Sequence, residues 1–225
     1  MKKLAMNEMN TEQARFNMIE QQIRPADVLD STVLDIIAAV PREAFVPAAY
    51  YQLAFSDMNI PLPSGQVMMS PIQEARLLQA LNIGAEDRIL EIGTGSGYVT
   101  ALLAKLGKHV TSVEIDESLS KIAGEKLAEH GISNVTLEIG DAAKGWQKHA
   151  PYDVIAVTGS LAKLHENFKQ QLQTGGRLFA IVGSKPAMSA LLITRAAEQQ
   201  WSQEDMFETV LPPLINAEKL PEFVF

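Results

Sequence analysis

Apolar positions follow a helical period through the first third of the chain. Residues 11–23 place Phe16 with two isoleucines at i, i+3 and i+7, which predicts an amphipathic helix. A second helix is predicted over 30–41. A third is predicted over 70–82, where Ser-Pro-Ile-Gln supplies a serine N-cap, a proline at the first helical position and a glutamine at N3. The stretch 46–63, rich in proline and aromatics, shows no clear period, and we expect it to be ordered but irregular.

Beyond residue 84 the pattern changes to short apolar runs that alternate with helical segments. Strands are predicted over 88–92, 109–114, 135–139, 152–158, 177–182, 191–195 and 207–211, and helices over 98–106, 117–130 and 161–172. This alternation is typical of an α/β protein with a doubly wound, mostly parallel sheet of seven strands, any antiparallel strand lying near the end of the chain. We expect 1–83 to form an N-terminal helical extension of the domain 84–225, the two making one compact unit.

Composition restricts the function further. With 47% hydrophobic residues the chain can bury a full core, and its net charge of −8 weighs against a nucleic-acid partner. The absence of cysteine excludes disulfides, thiolate metal sites and a cysteine nucleophile. The four histidines are scattered without metal-ligand spacing, and neither a signal peptide nor a membrane span is evident. We expect a soluble, cytoplasmic protein that binds no metal and no membrane.

The stretch 88–97, RILEIGTGSG, predicts a buried strand, a tight turn and the start of a helix. Its glycines, Gly93, Gly95 and Gly97, lack Cβ atoms, so the backbone can approach a ligand closely. The N–H groups at the helix start face whatever lies over the turn. The spacing differs from the G-x-G-x-x-G fingerprint of nicotinamide and flavin sites, because the third glycine comes four residues after the first. A turn of purely structural use is the alternative.

Three carboxylates accompany this turn. Glu114 ends the second strand, where an acid in a nucleoside-binding sheet accepts hydrogen bonds from the ribose hydroxyls, although a solvated strand-end acid is the alternative. Asp141 follows the third strand and is otherwise an ordinary turn aspartate. Glu91 lies on the buried strand and must find partners, which the loop N–H groups or a ligand's ammonium could supply. Asp116 is better explained as a helix cap.

The G-x-G-x-G turn led by an acid resembles motif I of the class I S-adenosylmethionine (SAM) methyltransferases. The resemblance implies that SAM binds, that S-adenosyl-L-homocysteine is the product, and that the acid after strand three contacts the adenine amino group. The residues implied for cofactor binding are Glu91, Gly93, Thr94, Gly95, Gly97, Glu114, Ile115, Asp141, Ala142 and Thr158. After strand four the chain has Thr-Gly-Ser, not the N/D-P-P-Y/F loop of amino-methylating DNA enzymes, and the cytosine C5 enzymes need a cysteine.

Over nearly its whole length the chain resembles one family, the protein-L-isoaspartate O-methyltransferases. The matching stretches include PREAFVP at 41–47, AFSD at 54–57, Gly-Gln at 65–66 and LEIGTGSGY at 90–98. The first is the most specific, since motif I is shared by many methyltransferases. The resemblance implies methyl transfer from SAM to the α-carboxylate of an isoaspartyl residue in a damaged peptide or protein, with 1–83 on the substrate side.

One segment departs from the family pattern. The family's run Gly-Gln-Thr-Ile-Ser-x-Pro carries a serine beside the acceptor carboxylate, but here Met69 occupies that position and Ser70 comes one residue late. Ser70 is the candidate catalytic residue, with an N-cap as its alternative role. Glu74 is also acidic where a neutral or basic residue is expected. Three hypotheses remain open: isoaspartyl repair, methylation of another acceptor, and SAM binding without catalysis.

Overall fold

A central seven-stranded sheet carries the fold of residues 10–218, which are the residues that the computed structural model describes. A two-stranded hairpin, β1 and β2, precedes it. The strands are β1 (Ile60–Pro61), β2 (Val67–Met68), β3 (Arg88–Ile92), β4 (His109–Glu114), β5 (Val135–Ile139), β6 (Tyr152–Leu161), β7 (Leu172–Ser184), β8 (Ala187–Ala197) and β9 (Gln200–Thr209). The α-helices are α1 (Thr11–Met18), α2 (Ser31–Ala39), α3 (Arg42–Phe45), α4 (Pro71–Leu81), α5 (Tyr98–Leu106), α6 (Glu117–Glu129) and α7 (Glu166–Gln170).

The strand order creates a ligand-binding crevice. The order is β5-β4-β3-β6-β7-β8-β9. The first five strands in this order pair in parallel, whereas β8 pairs antiparallel with both β7 and β9. This confirms the predicted doubly wound, mostly parallel sheet. The chain runs outward in one direction from β3 to β5 and in the other from β6, so the switch point lies between β3 and β6. In open α/β sheets ligands bind at the carboxyl ends of the strands at this point.

The N-terminal helices begin close to where the sequence predicts, but one buried face is different. Asn10 caps α1 by accepting a hydrogen bond from Gln13 N (3.0 Å), and Asp30 caps α2. The predicted helix over 11–23 continues beyond α1 as a wider π-helical turn, Ile19–Ile23. The expectation that Phe16 faces the core is wrong, since 58% of it is exposed. The core side is taken by Met18, which is about 200° away around the helix.

A single apolar cluster joins residues on both sides of position 84. It contains Met18 and Leu77 from the N-terminal part and Ile89, Leu102 and Phe179 from the sheet part, all at most 1% exposed. The stretch 46–63 is irregular apart from a 3-10 turn, Ala48–Leu53, and the short strand β1. Within residues 10–218, the helices are too short or too polar to cross a membrane.

The second half of the sheet is more extended than the sequence predicts. The predicted helix over 161–172 is wrong in its first part, because β6 continues to Leu161 and only α7 is α-helical. The reason is that Ser160 pairs with chain that follows β9: Ser160 N donates to Pro212 O and Leu214 N donates to Ser160 O, both at 2.9 Å. We call residues 211–217 the C-terminal strap. The last strand, predicted over 207–211, is β9 and ends at Thr209.

Candidate active site

The glycine turn lies between β3 and α5, as predicted, and its conformation needs glycine. The φ angles of Gly93, Gly95 and Gly97 are +95°, +51° and +83°, a region that other residues rarely adopt. A Cβ on Gly93 would lie 2.6 Å from Thr158 Oγ1, and one on Gly97 would lie 3.0 Å from the Cβ of Ala123. The turn therefore packs tightly against β6 and α6 and presents its backbone at the switch point.

Glu91 lies beneath this turn and is fully buried. Its Oε2 accepts hydrogen bonds from Thr100 Oγ1 (2.5 Å) and Ser112 Oγ (2.6 Å), and Ser112 Oγ lies 2.6 Å from Thr94 Oγ1. Its Oε1 has no hydrogen-bond partner among residues 10–218. Burial raises the pKa of Glu91 to about 8, although the two hydroxyls lower it. Hydroxyl groups are thus the partners found for this acid, which holds the strand and helix on either side of the turn together.

Glu114, at the end of β4, faces the crevice from the next strand. Its carboxylate accepts hydrogen bonds from Gly95 N (2.9 Å), Ile115 N (2.9 Å) and Asp116 N (3.1 Å). Three of its four acceptor sites are therefore used, and Oε2 keeps one for a ligand hydroxyl. Asp116 caps α6, as the sequence predicts.

Asp141, after β5, is held from two sides. Its Oδ1 accepts a hydrogen bond from Ala143 N (3.0 Å), and its Oδ2 accepts one from Asn216 Nδ2 (2.9 Å). Each oxygen keeps one free acceptor site. Asn216 belongs to the C-terminal strap, and the sequence gives no sign of this contact because 75 residues separate the two.

These residues surround one cavity at the switch point. Seven of the ten residues implied for cofactor binding line it: Gly93, Gly95, Glu114, Ile115, Asp141, Ala142 and Thr158. The lining also includes the strap residues 212–215, Gln66 and Val67 of the hairpin loop and β2, and Ile92, Val113, Gly140, Ala143 and Gly159. Two acids with free acceptor sites and an open glycine backbone suit the hydroxyl and amino groups of a nucleoside. The polar groups that line this cavity therefore fit SAM.

A smaller cavity adjoins it on the other side of the glycine turn. Thr94 lies here, with Val67, Met68, Met69, Glu74, Gly93, Gly95, Ser96, Val99 and Thr158. Ser70, Glu91 and Gly97 line neither cavity. Ser70 forms a capping box with Gln73 at the start of α4, and Ser70 N donates to Gln73 Oε1 at 3.1 Å. Met69, only 3% exposed, contributes to the wall instead.

A buried ion pair supports this wall. Arg42 Nε donates to Glu74 Oε2 (2.9 Å) and Arg42 Nη2 to Glu74 Oε1 (3.3 Å), and neither residue is more than 1% exposed. Arg42 also donates to the carbonyl oxygens of Ala54 and, at 2.6 Å, Met69. Burial raises the pKa of Glu74 to about 7, against the opposing effect of Arg42. Arg42 lies in the PREAFVP stretch, which was the available sequence signal for its importance.

Comparison with known proteins places this chain among methyltransferases. The family model for Protein-L-isoaspartate(D-aspartate) O-methyltransferase (PCMT) matches residues 13–219. A protein-L-isoaspartate O-methyltransferase of Rhodopseudomonas palustris is 38% identical over 202 residues, which cover 89% of this chain and 93% of the relative. Protein-L-isoaspartate O-methyltransferase 2 of Pelobacter propionicus is 37% identical over 210 residues, or 93% of each chain.

Solved structures share the fold. A protein-L-isoaspartate O-methyltransferase matches with a TM-score of 0.74 and 23% identity, over 91% of this chain and 65% of the other. A beta-aspartate methyltransferase (PCMT) from Plasmodium falciparum, in complex with S-adenosyl-L-homocysteine, matches with a TM-score of 0.77 and 18% identity, over 92% of this chain and 99% of the other.

Proposed function

Since this chain belongs to the protein-L-isoaspartate(D-aspartate) O-methyltransferase family, we propose that it methylates the α-carboxylate of isoaspartyl residues in damaged peptides or proteins, with SAM as the methyl donor. The observation that carries the proposal is the cavity at the switch point, where Glu114, Asp141 and the glycine turn converge. The acceptor is a peptide or protein, and its reacting group is a carboxylate.

The cofactor's parts correspond to separate residues of the cavity. Asp141 and Ala142 would hold the adenine, and Glu114 with Ile115 would hold the ribose. The turn from Gly93 to Gly95 would lie against the amino-acid tail, with Thr158 fixing Gly93 by donating to its carbonyl oxygen (2.6 Å). When bound, SAM supplies a methyl group on a sulfonium, whose sulfur becomes the neutral thioether of the product once an acceptor oxygen has taken the methyl group.

The protein's own contribution is mainly to position the reactants. A carboxylic acid has a pKa of about 4, so the acceptor is already ionised at pH 7 and needs no general base. Holding two reactants in line can supply roughly 7–11 kcal/mol of the barrier. The tightly packed glycine turn and the buried wall of Met69 and Glu74 suit this purpose, because both are fixed before any ligand arrives.

A second candidate function is methylation of another acceptor, such as a small carboxylic acid or a modified peptide. Met69 favours it, because a thioether in the cavity wall donates no hydrogen bond to a carboxylate. SAM binding without catalysis is the third hypothesis.

Incubation with methyl-tritiated SAM tests these alternatives. We expect an isoaspartyl peptide, but not its aspartyl twin, to acquire a base-labile methyl ester. Glu114→Ala should abolish labelling, and Glu117→Ala, on the exposed start of α6, should not. An unlabelled isoaspartyl peptide beside a labelled small acid would favour the second candidate. Binding of SAM with no acceptor in any lysate fraction would favour the third.

A further inference from the structure

The smaller cavity beside the glycine turn contains a carboxylate to which the sequence assigns no role. Within the part of the chain that the structure describes, Glu74 is the one charged side chain that lines it. The cavity shares Val67, Gly93, Gly95 and Thr158 with the larger one, so the two spaces meet at the glycine turn. A carboxylate that is 1% exposed gains strongly from a cation placed beside it.

The order of groups along the two cavities indicates what reaches Glu74. In the proposed arrangement of the cofactor Asp141 holds the base, Glu114 holds the sugar, and the glycine turn follows; all three line the larger cavity. A nucleoside bound in this direction points its 5′ substituent at the turn and at the smaller cavity beyond it. In SAM that substituent ends in an α-ammonium and an α-carboxylate. The helix N-terminus after the turn suits the carboxylate, and the ammonium needs an acceptor.

The other acid near the turn is less suitable as a direct partner. Glu91 lies beneath the backbone and lines neither cavity, so its Oε1, which has no hydrogen-bond partner among residues 10–218, does not face the ligand space, and its Oε2 already accepts from Thr100 and Ser112. Glu74, in contrast, lines the cavity with its carboxylate fixed from behind. Arg42 uses one acceptor site on each of its oxygens, which leaves one free site on each.

We propose that Glu74 binds the α-ammonium of SAM and so positions the cofactor's amino-acid tail; this rests on SAM being the methyl donor of the proposed function. Burial disfavours the charged form of Glu74 and raises its pKa to about 7. A cation on the cavity side and Arg42 on the other side would both favour the charged form. Glu74 acts as a positioning residue for the cofactor, and Arg42 holds its carboxylate in place.

Calorimetry with three ligands tests the proposal without any methyl acceptor. S-adenosyl-L-homocysteine carries the ammonium, its deaminated analogue lacks it, and 5′-methylthioadenosine lacks the whole tail. A hydrogen bond to a charged group is worth about 1.5–3 kcal/mol, so we expect Glu74→Gln to weaken binding of S-adenosyl-L-homocysteine about ten- to a hundredfold. Its affinity for the deaminated analogue and for 5′-methylthioadenosine should stay within about twofold of wild type.

Control variants separate this role from a structural one. Asp57→Asn removes an acid that raises the pKa of Glu74 but does not line the cavity, and it should leave all three affinities unchanged. If Glu74→Gln does not fold, Glu74→Asp keeps the pair with Arg42 but withdraws the carboxylate, and it should lose affinity for S-adenosyl-L-homocysteine alone. Equal losses for all three ligands, or no loss, would overturn the proposal.

The outcome is separable from that of the proposed function. Selective loss with S-adenosyl-L-homocysteine supports the role of Glu74 even if isoaspartyl peptides are never methylated. Failure of the wild-type protein to bind S-adenosyl-L-homocysteine would overturn both.

Discussion

Met69 is the residue through which the choice of acceptor can be tested most directly. It lines the smaller cavity, and its backbone oxygen is held by Arg42, so its side chain is fixed in the wall. A serine here would donate a hydrogen bond to a carboxylate. If that bond is worth about 1.5–3 kcal/mol, Met69→Ser raises kcat/KM on an isoaspartyl peptide about ten- to a hundredfold. The labelled-SAM assay measures the change.

Met69→Ala is the matched control for this prediction, because it opens the same space without a hydroxyl. We expect no comparable gain from it. Equal rates for the serine and alanine variants would mean that the acceptor carboxylate lies away from position 69.

Glu91 gives a prediction about pH and stability. Its pKa is about 8 in the folded protein against an ordinary 4.5, so between these values the folded state binds more protons than the unfolded state. The stability that Glu91 contributes is complete below pH 4.5 and is lost as pH rises toward 8, at no more than about 1.4 kcal/mol per pH unit. The glutamine side chain of Glu91→Gln does not ionise, so the free energy of unfolding of this variant does not fall in this way as pH rises.

Urea denaturation at pH 5, 6, 7 and 8 checks it. The free energy of unfolding of Glu91→Gln minus that of wild type should increase steadily across the series. Glu74 also titrates in this range but is present in both proteins, so it cancels from the difference. A difference independent of pH would refute the raised pKa.

Spacing along the chain predicted Glu114 and Asp141, because an acid that ends a parallel strand must lie at the carboxyl edge of the sheet. Glu74 and Asn216 could not be assigned to the cavities in this way. Their approach depends on how α4 and the C-terminal strap pack against the sheet, and no local pattern encodes that. Met69 was singled out by the family pattern, but only the fold shows it in the cavity wall.

At the scale of elements, the sequence predicts where helices begin but does not predict which distant segments pair. The caps of α2 and α4 are formed by residues adjacent to the helices, and both helices begin where predicted. In contrast, the strand predicted over 177–182 is β7, which already begins at Leu172 and so includes Gly175 and Gly176. The register between β6 and β7 shifts at this place, from Tyr152 opposite Leu172 to Val154 opposite Arg177, so the two glycines lie in an irregular part of the pairing whose partner strand the local sequence cannot reveal.

The C-terminal strap carries the prediction at this scale. Besides its two backbone hydrogen bonds with Ser160, it accepts one from Ser160 Oγ at Leu211 O (2.7 Å). Asn216, which belongs to the strap, donates a hydrogen bond to Asp141 Oδ2 and so fixes the orientation of this carboxylate. Asn216 is exposed and would affect the ligand only through the Asp141 carboxylate, so Asn216→Ala should weaken S-adenosyl-L-homocysteine binding only about two- to tenfold, measured by calorimetry.

Lys144→Ala offers a control, because Lys144 reaches Glu218, the residue after the strap, only across an exposed 3.5 Å ion pair. Its affinity should match that of wild type. An unchanged affinity in Asn216→Ala would show that Asp141 does not need the strap.

At the scale of the whole molecule, the apolar cluster extends across position 84 without a break. We therefore expect the N-terminal helices and the sheet to unfold together. Leu77, on α4, is fully buried, and Leu77→Ala should lower the free energy of unfolding by about 2–5 kcal/mol. Leu29→Ala, at a residue that is 70% exposed, should change it by less than about 0.5 kcal/mol.

Two optical probes report on different parts of the molecule, because both tryptophans pack against a second apolar cluster in the sheet part, separate from the one that crosses position 84. Both tryptophans, Trp146 and Trp201, lie in the sheet part, whereas far-UV circular dichroism also follows the N-terminal helices. Coincident urea transitions in the two signals, shifted equally by Leu77→Ala, are the expected result for a single cooperative unit. Two separate transitions, with Leu77→Ala moving only the circular dichroism, would mean that residues 1–83 fold as a unit of their own. The cavity wall formed by Met69 and Glu74 could then loosen while the sheet stayed intact.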